Sequence, residues 1–244
     1  FTGLAAGQYQ VKFDASTAGS GYFLTQKDVG SNDAVDSDAN RTTGMSQIVT
    51  LATGENNTTI DAGVYQKASL GDKVWDDMNH NSIQDASEPG IGSIKIQLIG
   101  AGIDGAFSTA DDTSQNTTTT SGNYLFKDLD PGNYQLVFDK GGVMHYNYGA
   151  WCNMSDWKWA PKDVGTNDAV DSDVTGDGHT LFDVTKTDAF TLVSGQNDMT
   201  KDAGITPIVI DLNGDGIHTV SRADSMGTFD LLGNGKEIQS GWLS

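Results

Sequence analysis

Cysteine is almost absent, proline is scarce and positive charge is thin. The 244 residues hold one Cys, four Pro, and 14 Lys plus Arg against 33 Asp plus Glu. With Cys152 alone no internal disulfide forms, so the staples of an extracellular chain of this kind are metals and not cystines. The formal net charge of −19 excludes nucleic acid as a natural partner, because phosphate binding needs basic patches. It excludes an anionic membrane surface on the same ground. No apolar run approaches the roughly 18–20 residues that cross a bilayer, so no membrane insertion is expected of this stretch. No amphipathic helix pattern is found. No signal peptide is visible and Phe1 reads as mid-module sequence, so further residues are expected before it.

Catalytic groupings are missing too. His80, His145, His179 and His218 are scattered without the spacing of a zinc site. Cys152 lies among aromatic residues with no His nearby in sequence. The chain does not read as an enzyme.

What is abundant is Gly, thirty residues of it, and Asp in short clusters with Asn and Gly. Such clusters suit hard cations, which take oxygen ligands. The fullest is Asp77-Met78-Asn79-His80-Asn81-Ser82-Ile83-Gln84-Asp85-Ala86-Ser87-Glu88. As a twelve-position loop it places side-chain oxygens at Asp77, Asn79, Asn81, Asp85 and Glu88, with the Ile83 carbonyl at position 7. That is the ligand schedule of an EF-hand-type calcium loop. It departs from the pattern at position 6, where Ser82 stands in place of the usual Gly, at some steric cost. The rival reading is a polar turn of no consequence. The flanks, residues 70–75 and 94–99, alternate apolar and polar and read as strands. The loop therefore joins strands of an all-β module.

The chain repeats itself. Residues 1–14 recur as 126–139, Lys27–Asp38 recurs as Lys162–Asp173 with one change, and Gly54–Gly63 recurs as Gly195–Gly204. We expect a partial module over 1–66, matching only the back half of the repeat, then a complete module over 67–205, then a separate segment over 206–244. The complete module reads as strands near 70–75, 93–99, 114–120, 122–127, 133–138, 187–193 and 200–205. Seven short alternating strands with Gly/Asn/Asp turns predict a β-sandwich, so the fold class is all-β in tandem sandwich modules. The partial module contributes strands near 8–13, 21–25, 46–51 and 58–65.

Further acidic groupings follow. Asp28, Asn32, Asp33, Asp36 and Asp38 recur as Asp163, Asn167, Asp168, Asp171 and Asp173. Unneutralised, such carboxylates repel by about 1 kcal/mol per close pair even in water, and a bound cation reverses the sign. The alternative is a solvated acidic loop. Asp104, Asp111 and Asp112 form another grouping. Asp211, Asn213, Asp215 and the Ile217 carbonyl fill positions 1, 3, 5 and 7 of a second EF-like loop, in which Arg222 stands at position 12. An insertion at 144–159 holds three of the five Trp: Trp151, Trp157 and Trp159. It reads either as a contact surface for a glycan or protein or as local core over an open end of the sandwich.

Leu70-Gly71-Asp72-Lys73-Val74-Trp75-Asp76-Asp77, the calcium loop, Glu88-Pro89-Gly90-Ile91, Ser121-Gly122-Asn123-Tyr124-Leu125-Phe126 and Pro131-Gly132-Asn133-Tyr134 resemble the B-repeats of Sdr-type bacterial surface proteins, within the broader Cna-B-like sandwiches. The resemblance covers about residues 1–205. It implies an immunoglobulin-like, extracellular, cell-surface stalk module stiffened by several Ca²⁺ ions, without catalysis. The acidic loop at Asp104, Asp111 and Asp112 resembles another loop of those repeats. Some Cna-B-like domains carry a Lys–Asn crosslink, for which Lys73 is the candidate here, but the Sdr-type subset relies on calcium instead. Residues 207–217, followed by Phe229-Asp230 and Gly241-Trp242, resemble a calcium-associated segment of RTX-type secreted adhesins.

Neighbouring repeats of the same protein are the expected partners. A half module exposes core and open strand edges. Either the strands missing from it precede Phe1, or a neighbour completes it by strand addition, which repeated head to tail gives a filament.

Overall fold

The computed structural model describes residues 1–147, 150–154, 157–175 and 183–206, together with two short strands at 228–229 and 238–239. Among the described residues the chain is all-β, with one 3-10 turn at Ala15–Ala18. In chain order the strands are β1 Gly7–Tyr9, β2 Tyr22–Leu24, β3 Val49–Leu51, β4 Val64–Gln66, β5 Ala68–Asp76 and β6 Lys95–Gly100. Then follow β7 Thr113–Thr118, β8 Asn123–Leu129, β9 Gly132–Asp139, β10 Met144–Asn147, β11 Ala150–Asn153 and β12 Lys158–Trp159. The last are β13 Val184–Lys186, β14 Phe190–Leu192, β15 Asn197–Asp198, β16 Ala203–Thr206, β17 Thr228–Phe229 and β18 Ile238–Gln239.

The chain divides into two compact units. Unit 1 is Phe1–Ser69 with Lys127–Gly132 and Thr191–Asp198. Unit 2 is Leu70–Phe126, Asn133–Phe190 and Met199–Ser244.

Unit 2 is built on period-two alternation. Along β9, Tyr134, Leu136 and Phe138 are buried, while Gln135, Val137 and Asp139 between them are partly exposed. β6 buries Ile96 and Leu98, and β8 buries Tyr124 and Phe126. Side chains on successive strand residues point to opposite faces, so one face of each strand enters the core. In one sheet β13, β9, β6 and β7 lie side by side, with Ile96 opposite Phe138 and Leu98 opposite Leu136. In the facing sheet β5 lies between β16 and β8, and β12 adds to β16. The sheets meet through aromatic edges: Tyr124 lies 5.8 Å from Phe138, and Phe138 lies 6.2 Å from Trp159. Each fully buried Leu or Phe stabilises by roughly 1.5–3 kcal/mol relative to exposure. β16 runs parallel to β5, whereas β9 runs antiparallel to β6 and β13, so the first and last strands of the sandwich are neighbours.

The strands expected near 114–120 and 122–127 are β7 and β8. The one expected at 187–193 is the shorter β14, and β13 precedes it. The Trp-rich insertion forms an unexpected hairpin, β10–β11, followed by β12.

Unit 1 holds two small antiparallel pairs, β1–β3 and β2–β4. Few of its apolar side chains are buried. Leu24 and Tyr65 are, whereas Phe23, Ile48 and Val64 are exposed. The unit is completed by the two later stretches. Gly195 N–H donates to the Gln66 carbonyl, Gln66 N–H donates to Ser194 Oγ, and Ser69 N–H donates to the Gln196 carbonyl.

Candidate metal centres

Loop 77–88 leaves the end of β5 and returns to the same strand. Asp76 N–H donates to the Pro89 carbonyl (3.0 Å), and Ile91 N–H donates to the Val74 carbonyl (2.9 Å). That return brings Glu88 beside Asp77. It needs two glycines: a Cβ on Gly90 would stand 2.2 Å from the Ser121 carbonyl oxygen, and one on Gly122 would stand 2.5 Å from Gly90 Cα. Gly122 also has φ 88, which favours glycine. The Glu-Pro-Gly and Ser-Gly-Asn motifs therefore meet, and together they set the closing Glu.

Inside the loop the oxygens face backbone N–H groups. Asp77 Oδ1 accepts from Asn81 N–H (3.1 Å) and Oδ2 from Ser82 N–H (3.0 Å). Glu88 Oε1 accepts from Met78 N–H (2.8 Å) and Oε2 from Asp85 N–H (3.0 Å). Asn79 and Asn81 both donate through Nδ2 to Asp85 Oδ2, at 2.7 and 2.9 Å. Ser82 adopts φ 62, the left-handed turn expected at position 6. Asp77 and Glu88 are buried, and burial raises both carboxyls above their ordinary range, with Asp77 adding to the effect on Glu88. Among the described residues no Lys, Arg or His forms an ion pair with either, and Lys73 Nζ donates to the Glu88 backbone carbonyl. The donor set is all oxygen and amide, which fits calcium.

The repeated acidic loops fold alike in both copies. Asp28 and Asp163 each have φ 53, and Gly30 and Gly165 have φ 107 and 113. Lys27 bridges to Ser37 in parallel fashion, as Lys162 does to Ser172. Asp38 Oδ2 accepts from Asp61 N–H (2.9 Å), as Asp173 Oδ2 does from Asp202 N–H (2.7 Å). In the first copy burial, then Asp33 and Asp28, raise Asp36. Asn32 and Asn167 use their side-chain oxygens locally, accepting from the N–H of Ala34 and Ala169.

In the second copy Asp163, Asp168 and Asp173 bring one oxygen each within 4.8 Å of one another. Asp171 is buried, and burial, then Asp163 and Asp168, raise its carboxyl. Burial pushes Asp173 up to about 6. This loop also touches the first one: Ile83 bridges to Asp171, and Gln84 N–H donates to the Val170 carbonyl (2.6 Å).

A residue that sequence reasoning missed stands here. Lys201 Nζ lies 2.9 Å from Asp173 Oδ1 and 3.3 Å from Asp168 Oδ2. The signal was present in the repeat, because the position matching Lys201 in the first copy is Ile60.

The third grouping closes on itself. Asp111 Oδ2 accepts from Ile103 N–H (2.6 Å), and Asp112 Oδ2 accepts from Ser108 N–H (2.7 Å). The Thr109 hydroxyl lies between the carboxylates of Asp104, Asp111 and Asp112, at 3.5, 2.7 and 3.3 Å. Its donation, then the N–H groups of Ile103 and Asp104, lower Asp111. The fourth, at Asp211, Asn213, Asp215 and Ile217, lies outside the described residues.

In the insertion two of the three indoles turn inward. Trp157 and Trp159 are 5% and 3% exposed. Trp157 packs on His145, and Trp159 packs on Phe138 and under Lys140 Nζ. Both indoles are therefore core, the second of the two readings of the insertion. The backbone of Trp151 lies on β11 opposite Tyr146; its side chain lies outside the described residues.

The described family that matches is the SdrD B-like domain, over residues 1–64 and 68–205. The chain is 34% identical over 197 residues to serine-aspartate repeat-containing protein C of Staphylococcus aureus (strain Newman), covering 80% of this chain and 17% of that protein. Against the same-named protein of strain MRSA252 the figures are 34%, 80% and 18%, and for strain N315 they are 33%, 80% and 17%. The chain thus spans about a sixth of the length of the curated relatives it matches. Two matched stretches, one starting at the first residue and one holding the whole sandwich of unit 2, carry the assignment: this chain belongs to the SdrD B-like domain family.

Proposed function

We propose that this chain is a calcium-stabilised, non-catalytic spacer in a secreted, surface-attached bacterial protein, with neighbouring repeats as its partners. The observation that carries the reading is loop 77–88. Two buried carboxylates, Asp77 and Glu88, face a ring of Asn and Asp side chains with no ion-pairing cation among the described residues. Asp77, Asn79, Asn81, Asp85, Glu88 and the Ile83 carbonyl would hold the ion. An amide turned over puts oxygen where Asn79 and Asn81 now present nitrogen. When bound, calcium supplies the positive charge that the loop lacks. The residues themselves fix the return of the chain to β5.

The acidic loops extend the reading to several ions. Among the described residues, Asp28, Asp33, Asp36 and Asp38 of loop 28–38 have only Lys27 as a cation partner, through Asp28. Asp104, Asp111 and Asp112 are gathered by one hydroxyl. Extended spacers of this kind resist bending where such ions tie loops to strands. Titration calorimetry of the whole chain and of Glu88→Gln tests the reading. The account expects one site to weaken by about tenfold or more in the variant, because the bidentate position loses its charge. Equal stoichiometry and affinity in both proteins would remove Glu88 from the site.

A further inference from the structure

We infer that β7 is a self-association edge, through which two copies of this chain pair strand to strand. This goes beyond the spacer reading and does not depend on calcium at loop 77–88.

β7 is a sheet edge: among the described residues its one strand neighbour is β6. Every second residue of an antiparallel edge strand turns its N–H and C=O away from its partner, and those groups template a further strand. Folded proteins guard such edges with short strands, Lys, Pro or inward charges. The guards are in place elsewhere. β12 and β15 are two residues long, β13 is three, and β8 carries Lys127 and Asp128. β7 is six residues long and lies in the run Thr113-Ser114-Gln115-Asn116-Thr117-Thr118-Thr119-Thr120-Ser121, which has no charge and no Pro. Its residues are exposed on both faces apart from half-buried Thr117.

The chemistry of the run names its occupant. A chain with net charge −19 repels its own copies over most of its surface. Nine neutral residues give one strip where a second copy can approach. Antiparallel pairing about a two-fold axis at Asn116 places Ser114 opposite Thr118 of the partner subunit, and Asp112 opposite Thr120 of the partner subunit. Hydroxyl and amide pairs across strands are favourable, and no like charges face each other. A parallel in-register pair would instead stack Asp111 and Asp112 on their copies. The antiparallel contact is isologous and closes as a dimer. Thr119 anchors the strand end, since its Oγ1 donates to the Ile91 carbonyl and accepts from Ile94 N–H.

Sedimentation of the whole chain over a concentration series tests this. The expected result is a monomer–dimer equilibrium that tightens as salt is raised, because screening shortens from about 10 Å at 0.1 M to about 3 Å at 1 M. Asn116→Lys should weaken the dimer by about tenfold or more with an unchanged melting temperature, since the side chain is exposed. Asn116→Cys should form a disulfide-linked dimer under mild oxidation, as residue 116 faces itself. Ser114→Cys should not, because its two copies stand about 13 Å apart along the strands; wild type controls for Cys152. A monomer at every concentration and salt overturns the inference, as does a dimer that Asn116→Lys leaves intact, or equal crosslinking of the two Cys variants.

Discussion

Lys201 and Ile60 hold the same place in two copies of one loop, and the difference is one ammonium group. In the second copy that ammonium bonds Asp173 and Asp168, the position from which a cation neutralises the cluster. Burial lowers the Lys201 pKa, but the bonds to Asp173 and Asp168 and their two charges together outweigh it, so the net shift is upward and the charge is held. Lys201→Ile therefore separates protein charge from metal charge. The metal-free variant should lose about 3 kcal/mol or more, as expected for a buried pair with one partner removed. Added calcium should raise its melting temperature by more than it raises that of wild type. An equal calcium-induced rise in both proteins would mean that loop 163–173 does not take the ion.

Asp130 shows the opposite electrostatics at the same scale. Within unit 1 it accepts from Lys67 Nζ (2.5 Å), Tyr65 Oη (2.5 Å) and Arg41 (3.0 Å), while Arg41 also donates to Tyr65. Burial alone would raise the carboxyl, but these three bonds outweigh it and hold it at about 2, against an ordinary 3.8. A depressed carboxylate contributes stability that is complete above its ordinary value and is lost as pH falls through the folded value. Asp130→Asn should thus melt below wild type at neutral pH, with the gap closing as pH falls from 3.8 to about 2. The side chain is 42% exposed, so solvent screening keeps the effect small.

At the scale of elements, β5 organises the module. It pairs with β16 and β8, receives Pro89–Ile91 alongside, and launches loop 77–88. The crossing at Gly90 and Gly122 is the tightest point of that arrangement. Gly122→Ala should cost about 2–4 kcal/mol, from a left-handed backbone and a Cβ that meets Gly90 Cα and the Val74 carbonyl. Denaturant unfolding checks it, and a variant within about 0.5 kcal/mol of wild type would contradict the close approach. The core strands were legible in the sequence because apolar residues recur at every second position of β6 and β9 and at Tyr124 and Phe126 of β8. The twelve-position spacing singles out loop 77–88 as the candidate metal loop, and its left-handed position 6 at Ser82 agrees with that spacing. The β10–β11 hairpin was not legible, because its aromatic residues read equally as surface and as core. Lys201 was legible only as a difference between the copies, Lys where the first has Ile60; that its ammonium reaches Asp168 and Asp173, about thirty residues earlier, needed the fold. The inward turn of Trp157 and Trp159 depends on Phe138 and His145, which period-two patterns cannot pair with them.

At the scale of the whole molecule, 33 acidic residues against 14 basic ones form a fold of short strands with a modest core and no disulfide. Carboxylates raised by burial at Asp77, Glu88 and Asp173 show where that charge is costly. Calcium bound only by the folded state would stabilise it by about 4 kcal/mol at a thousandfold excess over its dissociation constant. The most direct measurement is scanning calorimetry of this chain in saturating calcium and again after chelation. The account predicts a melting temperature lower by roughly 10 °C in the chelated sample, restored on adding calcium back; superimposable melting curves would contradict it.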